Sequence, residues 1–520
     1  MGGTPRTEID FRDLNERLSL LALGSVDVND AIISHDGVVV VSATIGGQGN
    51  LYVYSAGEGG RGAAGGGGRA GGGGSPLRPL TTTPGMKMEA QFSPDGKEVY
   101  YISQGGIEAV SLDSKTVRSI SARADMETDF DKEKIEVFRQ AWTAQKRGYA
   151  DPDMNGVDWN AVYKEYLPVV AGVASTDELR RVLSLLVGEL NSSHSGIGGP
   201  GAYTPVPTGR LGLGFDRVAY EDQGKFKITE VIDGGPADLT GKVHVGDYLT
   251  AVDGKPLTAG DNLDEVLADK VGKKVTLTVT GGGGVAEGAA GKGNGGVAVK
   301  PVNLAAEKAL LYKQWVKEQR EYVNRISHGR LGYVHMNDMS QESLDQLYLD
   351  LDAENQNKEG VVVDVRNNNG GFVNPYALDV LTRKSYLTMI NRGLPGAPAR
   401  AQLGQRSLEL PTILLTNQHS LSDAEDFTEG YRAMGLGKVV GEPTGGWIIF
   451  TGSVTLIDGS TVRMPGSKIM DHEGKPMELH PRAVDIAVSD PIGQPAGQDV
   501  QTETAVKELL KEIDAAKAAH

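Results

Sequence analysis

The sequence predicts a multidomain α+β protein with four parts: short β-strands, a small helical segment, a compact β-rich domain and an α/β domain. Three observations support this fold class. Apolar runs joined by Asp-Gly turns come first, segments with apolar residues at i, i+3 and i+4 follow, and strands alternate with helices over residues 330–490. We expect the parts to cover residues 1–119, 120–205, 206–303 and 304–520.

The composition limits the classes of function. The 520 residues carry a net charge of −16, which argues against a nucleic-acid partner held through phosphate contacts. The chain has no cysteine and its nine histidines show no paired metal spacing, so we expect neither a metal nor another cofactor. No apolar run is long enough for a transmembrane helix. The polar, acid-containing N-terminus predicts no signal or transit peptide, which favours a cytoplasmic location.

The first part carries the same pattern twice, in AIISHDGVVVVSA and AQFSPDGKEVYYIS. In each, an Asp-Gly turn joins two β-rich runs, which is a strong hairpin signal. The two turns, at Asp36 and Asp95, repeat after about 40 residues once the glycine-rich insert 57–75 is set aside, and this is a propeller-blade period. Because two blades cannot close a propeller, the alternatives are an incomplete propeller and a small independent β-sheet.

Residues 125–190 carry three amphipathic segments that predict helices. The loop that follows, GELNSSHSGIGG, places His194 beside Ser192, Ser193 and Ser195. One interpretation is a solvated loop histidine. The other is a general base whose ring is oriented by the neighbouring hydroxyl groups.

Residues 206–303 return to a β pattern that opens on GLGF. A glycine-lined turn leaves backbone N–H groups free to hold a peptide carboxylate, and the adjoining strand edge can pair with an extended peptide. With GGPADLTGKVHVGDYLTAVDGKPL downstream, this stretch resembles a PDZ domain. The alternative is the same β-domain without a peptide ligand. A second glycine-rich insert, residues 281–296, predicts an extended hairpin loop, and residues 303–326 predict a helix. The predicted peptide-binding residues are Gly212, Leu213, Gly214 and Phe215.

Between residues 330 and 490, nearly continuous apolar strands alternate with helices, which predicts a buried and mostly parallel sheet. Gly370 and Gly371 follow the strand VVVDVR, at the carboxyl end where ligands bind in open α/β sheets. A glycine there can offer an unhindered N–H to a developing oxyanion. Taken alone, the pair is equally typical of a tight turn.

The stretch PTILLTNQHSLSDAEDF predicts a strand, a turn and a helix, with Ser422 at or next to the helix N-cap. Helix capping is one explanation, because serine followed by acids is common there. A nucleophile is the other, since an elbow of this kind presents a serine together with the N–H of Asp423. His419 is a rival base, but we expect its side chain to point away from Ser422. Glu478, taken alone, is an ordinary surface glutamate.

These motifs resemble one family when they are taken in order over about residues 20–490. The segments SSH, GLGF, DVRNNNGG, SDAEDF, GEPTGG and ELHPRAVDI are similar to those of tricorn protease and its relatives among the tail-specific-protease-like serine peptidases. The resemblance implies an α/β (ClpP/crotonase-like βαβ) catalytic domain. It also implies a nucleophile, a base, a serine that orients the base, a glutamate that holds that serine, and oxyanion N–H groups. These map onto Ser422, His194, Ser193, Glu478, Gly371 with the adjacent Gly370, and Asp423.

Some residues depart from the family pattern. Trp447 stands where relatives with a Ser-Lys dyad carry the lysine, which favours His194 as the base. Asn369 replaces a glycine and Leu421 replaces a small residue, but neither change removes a required N–H. The stretch 385–393, which resembles the region holding an acidic specificity residue, has no acid, and Leu387 is the nearest match. Specificity for basic side chains is therefore not expected from this stretch.

The resemblance implies a serine endopeptidase that acts on unfolded polypeptides or oligopeptides, and a homo-oligomer that is a hexamer by family analogy. The alternative is a non-catalytic scaffold, in which the PDZ-like domain and the propeller-like strands bind peptides and the serine site is vestigial.

Overall fold

The computed structural model divides the chain into two compact units, residues 1–128 and residues 129–520. It describes Arg12 and residues 26–519, except residues 46–47, 55–76, 84, 122–126, 200–205, 282–295, 354, 356, 385, 395, 399–407, 492 and 494–496. The first glycine-rich insert and nearly all of the second therefore lie outside the described residues. The boundaries proposed for four parts stay predictions.

The first unit contains two four-stranded antiparallel sheets, each in chain order. The strands are β1 (Asp27–Ile33), β2 (Val39–Ile45), β3 (Gln48–Tyr54), β4 (Leu77–Pro79), β5 (Lys87–Phe92), β6 (Glu98–Ser103), β7 (Gly106–Ser111) and β8 (Val117–Ile120). Both predicted Asp-Gly turns join adjacent strands, between β1 and β2 and between β5 and β6. Side chains of the two sheets share one core around Val40, Leu51 and Val99. Within the described residues these strands form no closed ring, so the propeller stays a prediction.

The second unit begins with the predicted helical segment. Its helices are α1 (Phe130–Gly148), α2 (Trp159–Ala171) and α3 (Thr176–Gly188), with a 3₁₀ turn at Met154–Gly156. Each helix starts at a side chain that accepts hydrogen bonds from the free N–H groups of the first turn, namely Asp129, Asp158 and Ser175. A short strand, β9 (Gly196–Gly198), follows the loop that carries His194.

The PDZ-like domain is a sheet in the order β10-β11-β12-β14-β15, and β13 pairs with β12. Its elements are β10 (Leu213–Phe215), α4 (Arg217–Gln223), β11 (Phe226–Val231), a 3₁₀ turn (Asp238–Thr240), β12 (Tyr248–Val252), β13 (Lys255–Pro256), α5 (Leu263–Val266), β14 (Val275–Thr280) and β15 (Val297–Val299). The GLGF strand β10 lies at the edge of this sheet. The long helix α6 (Leu304–Ile326) connects it to the next domain.

The α/β domain confirms the predicted parallel sheet. Its elements are β16 (Leu331–His335), α7 (Gln341–Ala353), β17 (Gly360–Asp364), α8 (Asn374–Thr382), β18 (Thr388–Met389), β19 (Ala397–Pro398), β20 (Thr412–Thr416), α9 (Asp423–Ala433), β21 (Val439–Gly441), β22 (Ile449–Thr455), β23 (Thr461–Lys468), β24 (Ile486–Ala487) and α10 (Val500–Ala518). Five strands pair in parallel in the order β16-β17-β20-β21-β24. Every residue of β16, β17 and β20 is buried, as their apolar sequences predict. In the described part of the chain, no helix is long and apolar enough to span a membrane.

A small antiparallel sheet joins the helical segment to the α/β domain. The hairpin β22–β23 pairs through β23 with β9, with Gly196 opposite Arg463 and Ile197 opposite Val462. Sequence analysis did not predict this sheet, although Asp458-Gly459 between two β-rich runs is a hairpin signal. Its consequence is that the loop just before β9 is held against the α/β domain.

Candidate active site

Ser422 lies on a sharp elbow between β20 and α9. Its backbone angles are φ 55° and ψ −123°, a conformation that costs a non-glycine residue about 1–3 kcal/mol. The elbow is held by the N–H of Ser422, which donates to the carbonyl oxygen of Trp447 at 3.0 Å. Gly370 packs directly against it, because a Cβ added there would lie 2.5 Å from the Cβ of Ser422. The surrounding backbone therefore fixes the direction of the serine side chain.

The hydroxyl of Ser422 meets the imidazole of His194. Ser422 Oγ lies 3.0 Å from His194 Nε2, although the two residues are 228 positions apart. On the other side of the ring, Nδ1 lies 2.8 Å from Ser193 Oγ. The ring therefore bridges two hydroxyl groups, which is the position of a general base between a nucleophile and an orienting group.

Glu478 completes the chain of hydrogen bonds. Its Oε2 accepts from Ser193 Oγ at 2.9 Å and from the N–H of Ile448 at 2.9 Å. Its Oε1 accepts from the N–H of Ser193 at 2.7 Å. The carboxylate thus holds both the side chain and the backbone of Ser193. Ser193 in turn fixes the ring of His194 on its Nδ1 side.

The three predicted oxyanion N–H groups have different surroundings. The N–H of Gly370 donates to Asn368 Oδ1 at 2.8 Å, so it is committed to the turn. Within the described ranges, no protein acceptor is found for the N–H of Gly371 or of Asp423, and both residues line the cleft that holds Ser422. The geometry narrows the candidate donors to Gly371 and Asp423, while Gly370 shapes the turn beside them.

Glu425 is a residue of the site that sequence analysis missed. It is fully buried, and its Oε1 accepts from the N–H groups of Ser422 at 3.2 Å and Trp447 at 2.7 Å. Its Oε2 accepts from the N–H of Gly446 and the hydroxyl of Thr444, both at 2.7 Å. Burial raises the pKa of this carboxyl above its usual value. The signal was available, because Ser-x-x-Glu at a helix start is the spacing of a capping box.

The other residues near the elbow form no hydrogen bond with the hydroxyl of Ser422 in the described structure. Ser420 is fully buried, donates its hydroxyl to the carbonyl of Val365 at 2.8 Å and accepts from the N–H of Asn417. His419 is exposed, and it is His194 that contacts the serine. Trp447 meets the elbow through its backbone, and 52% of its surface is exposed.

A narrow cleft opens in front of Ser422. Phe372 and Phe450 form one wall, with stacked rings whose centroids are 6.3 Å apart. Asp426, one turn along α9 from Ser422, also lines the cleft, whereas Leu387 is not among its lining residues. Burial and the neighbouring Asp423 raise the pKa of Asp426 to about 7. No group of three or more His, Asp or Glu side chains is arranged to hold a metal ion in the part of the chain that is described.

His194 is neutral at physiological pH. Burial, and secondarily the nearby guanidinium of Arg463, lower the pKa of this imidazole to about 4. A neutral imidazole can accept a proton from a hydroxyl, so the ring is in the form that a general base needs.

The depressed pKa of His194 predicts the acid limb of the pH profile. Because the neutral ring is the active form, we expect kcat/KM for peptide cleavage to fall only as the pH drops through about 4, and not near the ordinary imidazole pKa of 6.5. The measurement is a pH series of kcat/KM, with circular dichroism at each pH to confirm folding.

Asp426→Asn provides the control for this profile, because Asp426 titrates near 7 in the same cleft. A limb near neutrality that disappears in the variant belongs to Asp426. A limb near 6.5 that survives in the variant contradicts the assignment of a buried, neutral His194.

Three family models match parts of the second unit. The Tricorn protease C1 domain matches residues 130–188, the PDZ domain matches residues 227–280, and Peptidase family S41 matches residues 330–488. A separate family model thus matches each of three parts: the helices before His194, most of the PDZ-like domain, and the α/β domain that carries Ser422.

Curated relatives and a solved structure match much more of the chain. Tricorn protease homolog 1 of Streptomyces coelicolor is 30% identical over 445 residues, covering 82% of this chain and 40% of the relative. Tricorn protease of Thermoplasma acidophilum is 24% identical over 525 residues, covering 97% of this chain and 46% of the relative. A crystal structure of the tricorn protease superposes with a TM-score of 0.77 at 21% identity, covering 98% of this chain and 49% of that one. The chain spans less than half the length of each of these proteins. It belongs to the tricorn-like serine peptidases of family S41.

Proposed function

We propose that the chain is a serine endopeptidase that hydrolyses peptide bonds in unfolded polypeptides or oligopeptides. The observation that carries this proposal is the 3.0 Å contact between Ser422 Oγ and His194 Nε2. Two distant segments of the chain supply these atoms, and the contact lies in a cleft beside the N–H groups of Gly371 and Asp423.

The proposed reaction begins when Ser422 Oγ attacks the scissile carbonyl carbon and its proton passes to His194 Nε2. Nδ1–H of the resulting imidazolium donates to Ser193 Oγ, and the Ser193 hydroxyl donates to Glu478, so the positive charge faces a carboxylate through one hydroxyl. His194 then gives the proton to the leaving amine as the C–N bond breaks. Water hydrolyses the acyl-enzyme by the same steps, with His194 again as the base.

The tetrahedral oxygen is proposed to accept hydrogen bonds from the N–H groups of Gly371 and Asp423. The N–H of Asp423 starts α9, so the positive end of the helix dipole adds to its effect. Loss of one donor of this kind typically slows acyl transfer by about 10²–10³-fold.

The alternative function is a non-catalytic peptide-binding scaffold. A scaffold needs surfaces that bind peptides, but it does not need a hydroxyl, an imidazole, a second hydroxyl and a carboxylate linked in series by hydrogen bonds. The unfavourable backbone angles of Ser422 also favour the enzyme, since strain of this kind concentrates at functional sites.

A peptide library with both ends blocked tests the endopeptidase proposal. We expect cleavage of peptides that are acetylated at one end and amidated at the other, because the proposed chemistry uses only the scissile carbonyl and its leaving amine. Cleavage restricted to peptides with a free end contradicts endopeptidase action, and no cleavage by a well-folded sample favours the scaffold. Assembly into a homo-hexamer, which the resemblance implies, stays a prediction.

A further inference from the structure

The PDZ-like domain has a groove along its edge strand β10. Apolar and charged side chains line the groove, and it lies between β10 and the short helix α5. The apolar lining residues are Leu211, Leu213, Phe215, Tyr220, Phe226, Leu263 and Leu267. In the usual mode of PDZ recognition, a peptide adds to this strand as a further strand, and its terminal carboxylate is held by N–H groups of the glycine turn.

In this protein a carboxylate of the chain itself accepts from the first N–H of the glycine turn. The N–H of Gly212, the first glycine of GLGF, donates to Oε1 of Glu307 at 3.3 Å. Glu307 lies in the first turn of α6, its side chain is only 15% exposed, and it lines the same groove. A peptide that brought its own terminal carboxylate to Gly212 would meet this negative charge.

Arg210, a cation that lines the same groove, is also committed to carboxylates of the chain. Arg210 Nη1 donates to Asp264 Oδ1 at 3.0 Å, and Arg210 Nε lies 4.0 Å from Glu307 Oε2. The Nε–H is buried and, among the described residues, has no hydrogen-bond acceptor. Removing the carboxylate of Glu307 would therefore leave the N–H of Gly212 and the Nε–H of Arg210 ready for a carboxylate from outside, while Nη1 stays with Asp264.

Helix α6 is fixed to the PDZ-like domain by further contacts, and these hold Glu307 close to the glycine turn. About two turns further along the helix, Gln314 Oε1 accepts from the N–H of Asp233 at 3.2 Å. Lys317 Nζ pairs with Asp233 Oδ2 at 2.7 Å. These contacts set the register of the helix against the domain and present Glu307 to Gly212.

The rest of the groove stays suited to an extended chain. Among the described strands β10 pairs only with β11, so its outer edge keeps its hydrogen-bonding groups for a further strand. We propose that Glu307 takes the place of a ligand carboxylate, and that the groove therefore binds internal, extended segments of apolar polypeptide rather than free carboxyl ends. This preference concerns recruitment of polypeptides and does not depend on the chemistry at Ser422.

A binding measurement tests this preference. The protein is the full chain with Ser422→Ala, and the probes are a fluorescein-labelled Ala/Val/Leu peptide with a free carboxyl end and the same peptide with an amide end. By fluorescence anisotropy we expect the chain with native Glu307 to bind the amide at least as tightly as the acid. In the Glu307→Ala variant we expect the acid to be preferred by roughly tenfold, the typical effect of one charge-assisted hydrogen bond.

Two further variants separate recognition from folding. Glu307→Gln keeps the size of the side chain, and we expect it to shift the preference towards the acid. Glu321→Ala removes an exposed acid from the same helix, and we expect it to leave the acid-to-amide ratio unchanged. If Glu307 serves only the stability of α6, its variants will change the melting temperature without changing this ratio. That result overturns the proposal, as does a preference for the acid with native Glu307 or no binding of either probe.

Discussion

Ser422→Ala is expected to abolish peptide cleavage while the protein stays folded. Removal of the nucleophile of a serine peptidase lowers kcat by roughly 10⁶-fold, since the oxyanion donors and substrate binding are all that remain. The free energy of unfolding should change little, because the elbow is held by the N–H of Ser422, which donates to the carbonyl of Trp447 and to Glu425. The measurements are kcat on a blocked fluorogenic peptide and the melting temperature.

Ser420→Ala is the matched control, because this serine lies two residues earlier on the same turn. Its buried hydroxyl bonds to the backbone of Val365 and Asn417, so its loss should lower the free energy of unfolding by about 1–3 kcal/mol. We expect cleavage to persist in this variant. If Ser422→Ala instead destabilises the fold strongly, the hydroxyl is a helix cap and the proposed role as nucleophile is wrong.

His194→Asn is expected to reduce kcat nearly as much as Ser422→Ala, because the serine loses the group that takes its proton. Asparagine is the better substitution here, since His194 has φ 57° and asparagine tolerates this left-handed conformation. The measurement is kcat on the same blocked peptide, with circular dichroism to confirm that the loop variant is folded.

Two further variants complete this test: the double variant Ser422→Ala/His194→Asn, and His419→Ala. Adding Ser422→Ala to His194→Asn should cost little more, because residues of one catalytic unit give non-additive losses. His419→Ala removes an exposed imidazole three residues before Ser422 and should leave cleavage unchanged. Strong loss in His419→Ala with retained activity in His194→Asn would show that the base has been assigned to the wrong histidine.

The strands and turns could be predicted because their signals are local. The apolar runs of β16, β17 and β20 predicted buried parallel strands, and both Asp-Gly turns of the first unit were predicted from a dipeptide. The loops after β17 and β20 follow neighbouring parallel strands, so their meeting at the carboxyl edge of the sheet also follows from topology.

The meeting of Ser422 with His194 could not be derived from local signals. It depends on β9 pairing with β23, which joins segments more than 250 residues apart, and a single sequence carries no information on such pairing. Only the family resemblance brought the two residues together, as it did for Ser193 and Glu478. Taken singly, each of the four is also typical of a loop, a cap or an exposed surface.

Two glutamates show what single-residue interpretation leaves out. Glu425 accepts from three backbone N–H groups and one hydroxyl, which come from the elbow and from the loop 444–447. Its role therefore depends mainly on backbone groups that have no signature of their own in the sequence. In the sequence, Glu307 is an ordinary acid in the first turn of a helix. Only its hydrogen bond with the N–H of Gly212 indicates that it takes the place of a ligand carboxylate.

Covalent labelling tests the central claim most directly. A fluorophosphonate reacts with a serine only when a base activates its hydroxyl, so the reagent reports on the contact between Ser422 and His194 independently of substrate choice. We predict one phosphonyl adduct per chain, located on Ser422 by peptide mass spectrometry and lost in His194→Asn. A well-folded chain that stays unlabelled, or a label on another residue that is indifferent to His194, would contradict the account.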